Sequence, residues 1–148
     1  MDLTISHPAE DTEREAVFTW LREFNDQENG AFMRSLRDGA EKECSFIARS
    51  SDGKIVGGLF GLTIHKWLKV NIMAITPDLR GQGIGTALMQ RAEQHGAELG
   101  CIRSYVDTMS HQAPGFYEKL GYCEVGRLPD WDSHGHDKVF FFKQLSVT

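Results

Sequence analysis

The stretch Thr76–Thr86, TPDLRGQGIGT, decides how this chain is read. The apolar run Trp67–Ile75 before it predicts a strand. The residues after it predict a helix over Gly85–Leu99, with Ile84, Leu88 and Ala92 on one face and Gly100 as its stop. Gly81, Gly83 and Gly85 allow close backbone approach to a ligand and positive φ where a turn demands it. Free N–H groups then converge at a helix N-terminus, which is a ready-made anion site. Arg80 adds a cation that can bond a phosphate. A Walker loop is excluded, because Thr86 and Ala87 follow Gly85 where Lys and Ser/Thr are required. A dinucleotide fingerprint is excluded by the glycine spacing and by the antiparallel-looking strands that come first.

Working outward, Leu3–Ser6 alternates and predicts a first strand. Pro8, Glu10 and Asp11 suit a helix start, and Ala16, Val17, Trp20, Leu21 and Phe24 recur at helical spacing up to the break at Asn29-Gly30. Ala31–Arg37 predicts a second helix. Phe46–Arg49 and Ile55–Ile64 form a hairpin through Ser51-Asp52-Gly53, and Trp67–Ile75 extends it to a meander. Downstream come a strand at Ile102–Val106, a helix at Ala113–Leu120, and strands at Tyr122–Leu128 and Val139–Leu145. The expectation is one domain, residues 1–148, of the α/β (α+β) class. Its sheet is mixed and mostly antiparallel, with about seven strands and helices on both faces.

Composition narrows the function. The chain has 148 residues, net charge −5 and no long Lys/Arg cluster, so a nucleic-acid partner is not expected. The longest apolar candidate, Ile55–Ile64, is interrupted by Gly57, Gly58 and Gly61, so no membrane span is expected. Met1–Pro8 has neither a basic start nor an apolar core, and the expected location is the cytoplasm. Cys44, Cys101 and Cys123 lack C-x-x-C spacing and read as reduced, buried thiols. His134 and His136 form an H-x-H pair with Asp132 and Asp137 close by. With no third ligand fixed nearby, a solvated turn explains them and no metal is expected. His7, His65 and His95 read as surface residues.

Two segments carry a resemblance. R-x-x-G-x-G at Arg80, Gly83 and Gly85, followed by Thr86, Ala87 and Leu88, resembles the coenzyme A signature of the GCN5-related N-acetyltransferase (GNAT) superfamily. APGFYEKLGY, Ala113–Tyr122, resembles its later helix, and the element order is similar over nearly the whole chain. Within the superfamily the chain is most similar to small bacterial acetyltransferases of unassigned substrate. The resemblance implies a splayed strand pair that receives the pantetheine arm of acetyl-CoA beside Met73 and Ile75. It implies main-chain contacts to the pyrophosphate from Arg80, Gly81, Gln82, Gly83, Ile84, Gly85 and Thr86. Tyr117 matches the tyrosine that protonates the departing thiolate, and Ser110 stands where the family often places an Asn that contacts the coenzyme. Phe24, Glu28, Trp131 and His136 are the implied acceptor-pocket residues. The family often has a Glu in the strand before the loop, but here its polar members are Lys69 and Asn71 only. Glu28, Asp107 and His111 are therefore the candidate bases. The implied activity is acetyl transfer from acetyl-CoA to a primary amine of a small molecule, by direct attack in a ternary complex. The alternatives are a non-catalytic acyl-CoA sensor and a protein or peptide amine acetyltransferase. Similar proteins also lead one to expect a homodimer.

Overall fold

The computed structural model describes residues 1–145. Two compact units are present, Met1–Ala40 and the chain from Glu41 onward. In the first, α1 (Asp11–Glu28) packs on α2 (Gly30–Arg37), and Arg37 pairs with Asp26 at 3.0 Å. The start of α1 is closed by its own sequence, since the Glu13 carboxylate accepts the Glu10 N–H at 2.8 Å.

The second unit is a six-stranded sheet with α3 and α4. Its strands are β1 (Glu41–Arg49), β2 (Ile55–Ile64), β3 (Trp67–Ile75), β4 (Arg103–Met109), β5 (Cys123–Leu128) and β6 (Lys138–Gln144). They lie in the order β1-β2-β3-β4-β6-β5, and only β3 and β4 are parallel neighbours. The crossover between them runs through a 3-10 turn, Pro77–Leu79, and α3 (Ile84–Glu98). The short helix α4 (Pro114–Lys119) precedes β5, with Pro114 in its first turn, where no hydrogen bond is lost. Leu59, Leu68, Val70, Val106, Val139 and Phe141 of the sheet share one core with Leu88, Met89 and Ala92 of α3.

Three expectations change. Leu3–Ser6 is not a strand, so the sheet has six strands. Alternation needs a neighbouring ladder to matter, and Leu3 and Ile5 remain exposed. Cys123 is exposed, because it opens the edge strand β5, whereas Cys44 and Cys101 are buried. His95 is half-buried and packs edge-on against Phe46, with ring centroids 5.6 Å apart. Among the described residues, no helix is long and apolar enough to cross a membrane.

Candidate active site

The site begins where a ladder ends. β3 and β4 pair from Trp67↔Arg103 to Val70↔Val106 and no further. Beyond that point β3 stays bonded to β2 as far as Ile75↔Gly57, and β4 stays bonded to β6 as far as Met109↔Lys138. Each strand therefore keeps an outer partner and opens its inner edge. A bulge marks the parting: Phe60 pairs with Ile72 and Gly61 with Val70, which leaves Asn71 unmatched. Gly61 is required there, since a Cβ would run into the Lys69 carbonyl. The resulting cleft, of about 860 Å³, is lined by both open edges, by the glycine turn and by Phe116 and Tyr117 of α4.

At one end of the cleft lies the start of α3. Gly81 and Gly83 have φ of 76° and 83°, and Gly83 is the N-cap. Added Cβ atoms there would meet nothing within 4 Å, so the left-handed backbone, not crowding, demands glycine. The first bond within the helix runs from Ala87 N–H to the Gly83 carbonyl at 3.0 Å, so the amides of Ile84, Gly85 and Thr86 precede the ladder. No side-chain hydrogen bond caps this end, and no acidic residue sits in its first turn. Arg80 donates from Nε to the Ile75 carbonyl at 3.3 Å, which bends it back over the end of β3. Gly85 serves packing, because a Cβ there would lie 3.2 Å from Phe116. Gln82 is exposed in the turn and does not line the cleft.

Tyr117 is 6% exposed, and among the described residues its hydroxyl has no hydrogen-bond partner. Its ring is wedged among Phe116, Tyr122 and Phe141. Burial, with the nearby Asp107 charge, pushes the phenol above its ordinary pKa. Tyr117 thus holds its proton at neutral pH.

Residues 9–122 match the acetyltransferase (GNAT) family. The chain belongs to that family. Membership makes it an acetyltransferase whose acetyl donor is acetyl-CoA. Blasticidin-S acetyltransferase of Streptomyces morookaense is 36% identical to it over 118 residues, which cover 75% of this chain and 86% of that protein. An acetyltransferase of Agrobacterium fabrum is 34% identical over 88 residues, 60% of this chain and 64% of that one. The crystal structure of an acetyltransferase from Bacillus cereus superposes with a TM-score of 0.75 at 29% identity, covering 96% of this chain and 98% of that one.

The acetyltransferase's cleft fits the coenzyme by its donor set: an open strand edge for an amide-bearing arm, and free helix-start amides for a diphosphate. Of the candidate bases, Asp107 and His111 line the cleft. Asp107 is the first β4 residue past the paired ladder and lies 3.6 Å from the Lys138 Nζ. Glu28 and Phe24 belong to α1 in the N-terminal unit. Ser110 is sewn to the β5–β6 loop. Its N–H donates to the Asp137 carbonyl and its Oγ accepts the Asp137 N–H, both at 2.9 Å.

That loop is built on carboxylates. Asp130 Oδ1 accepts the Gly135 N–H at 2.7 Å, and Asp137 Oδ1 accepts the Asp130 N–H at 2.9 Å. Asp132 Oδ1 accepts the N–H groups of His134 and His136 at 2.9 and 3.1 Å, while its Oδ2 lies 2.6 Å from His136 Nδ1. Desolvation opposes ionisation of Asp132, but those amides and the His136 ring outweigh it and hold its carboxyl down at about 2. Trp131 is exposed beneath the Lys138 ammonium, 4.5 Å from the ring centre. The His111 and His136 rings touch, with centroids 4.4 Å apart. The D-x-H-x-H spacing of Asp132, His134 and His136 carried a local signal for this arrangement, but the approach of His111 had none.

Proposed function

We propose that the protein moves the acetyl group of acetyl-CoA onto a primary amine of a small molecule, by direct attack while both are bound. The parting of β3 from β4 beside an unpartnered, protonated Tyr117 carries this reading. The bound coenzyme supplies the acetyl group as a thioester. Met73 and Ile75 offer the open β3 edge to its arm, and Arg80 and the amides of Ile84, Gly85 and Thr86 hold its diphosphate, with Gly81, Gln82 and Gly83 shaping the turn. The inner edge of β3 past Val70, where the ladder with β4 has ended, supplies a backbone amide to the negative charge that develops on the carbonyl oxygen. Tyr117 gives its proton to the leaving sulfur.

The amine must lose a proton as well. An alkyl ammonium with a pKa of about 10.4 needs about 4–5 kcal/mol to become free amine at pH 7. Asp107 draws the ammonium to the point of parting and passes its proton outward to water. Trp131 and His136 shape the acceptor side, and a relative that acts on blasticidin S supports a small molecule there. The test is thiol release from acetyl-CoA in the presence of blasticidin S and a panel of primary amines. Release that depends on one of these amines supports the proposal. Tight coenzyme binding with no amine-dependent release across the panel would mark a sensor instead.

A further inference from the structure

The β5–β6 loop and the end of β4 bring together three side chains of metal-ligating type that the acyl transfer does not use as a group. One donor atom from each of His111, Asp132 and His136 lies within 4.8 Å of the others. We infer that these residues bind a divalent transition metal of the zinc, cobalt and nickel class, as a two-histidine, one-carboxylate site at the rim of the cleft.

Each part of the local structure favours this. Asp132 is fixed by two backbone amides on Oδ1, which holds its carboxylate in place as an oxygen donor. His136 is set against it by the 2.6 Å contact of Nδ1 with Asp132 Oδ2, which brings a ring nitrogen and a carboxylate oxygen side by side. His111 arrives from the end of β4, held there because its neighbour Ser110 is bonded twice to Asp137. Among the described residues neither ring nitrogen of His111 has a hydrogen-bond partner, and its ring lies against His136. Nitrogen with one carboxylate suits zinc, cobalt or nickel better than calcium or magnesium, which prefer all-oxygen shells. Bond lengths of about 2.0–2.2 Å in a tetrahedral site put donors about 3.3 Å apart, so a bound ion would replace the 2.6 Å hydrogen bond of His136 with Asp132 and draw His111 in by side-chain rotation. Three protein donors leave a position for water, as open rather than structural sites do. The nearby cations have other partners, Lys138 with Asp107 and Arg127 with Glu124 and Asp137.

The experiment is calorimetric titration of the tag-free, chelator-treated chain with zinc chloride, together with the visible spectrum of its cobalt(II) form. We expect one zinc per chain. His111→Ala and His136→Ala should each weaken it at least 10-fold, while His134→Ala, whose ring bonds the Asp132 carbonyl, should leave it unchanged. Because His136→Ala disturbs the loop, zinc-induced shifts of the His111 and His136 ring resonances in the wild-type chain provide a second readout. No zinc uptake, or uptake indifferent to both substitutions with those resonances unmoved, overturns the site. Neither result bears on thiol release, so the acyl-transfer reading stands or falls separately.

Discussion

Two tyrosines five positions apart lie in one buried cluster and meet opposite fates. Tyr122 is 2% exposed, and its hydroxyl donates to Ser104 Oγ at 2.8 Å and lies 3.2 Å from the Glu93 carboxylate, which also pairs with Lys143. Tyr117 is nearly as buried, yet its hydroxyl has no partner among the described residues and belongs to the cleft wall. A fully buried hydroxyl ordinarily finds a bond, because leaving it bare costs free energy, whereas the Tyr117 oxygen reaches the cleft and is not among the buried atoms left without a partner. The phenol that ties strand to helix is structural, and the one left bare is available to a substrate. Burial alone does not separate them; the partner of the oxygen does.

The largest expected effect is on catalysis. Tyr117→Phe should lower kcat by about 100- to 10,000-fold, the usual span for a lost general acid. Coenzyme affinity should barely move, as binding assays on the same variant would record. A drop below 10-fold would mean the bare hydroxyl is incidental and the contrast has no functional content.

Tyr122→Phe should do the reverse. It removes the bond to Ser104, which is itself fully buried, so stability should fall by about 1–3 kcal/mol, read as a lower denaturation midpoint. Its kcat should stay within a few-fold of wild type. If Tyr122→Phe harmed catalysis as much as Tyr117→Phe, the two hydroxyls would share one task.

A smaller effect separates them by pH. Burial pushes the Tyr122 phenol well above its ordinary value, only partly offset by Ser104 and reinforced by Glu93. A raised folded-state pKa adds stability that is complete below the unfolded value of about 10 and is lost as pH climbs through the folded one. Stability should therefore decline in alkali above about pH 10, and Tyr122→Phe should flatten that decline more than Tyr117→Phe. Equal slopes in the two variants would remove this distinction.

Much of the architecture was legible because its signals are local. Arg80–Thr86 announced a turn between strand and helix, Ser51-Asp52-Gly53 a hairpin, and Pro114 with Gly121 the limits of a short helix. Leu3–Ser6 misled for the same reason, since alternation is local but a strand needs a neighbour. Gly85 was assigned to the ligand, and its packing against Phe116 on another helix was invisible from its own surroundings. Which tyrosine would be tied, where the β3–β4 ladder would stop, and that His111 would meet His136 are all long-range facts. Resemblance supplied the second of these, and folding supplied the others.

Coenzyme binding depends on the bare start of α3, which contrasts with the start of α1 that Glu13 closes. Amide hydrogen exchange with and without coenzyme A tests it most directly. The amides of Ile84, Gly85 and Thr86 should become protected when coenzyme A is added, while those at the start of α1 should not change. Exchange at Ile84, Gly85 and Thr86 that is indifferent to saturating coenzyme A would contradict it.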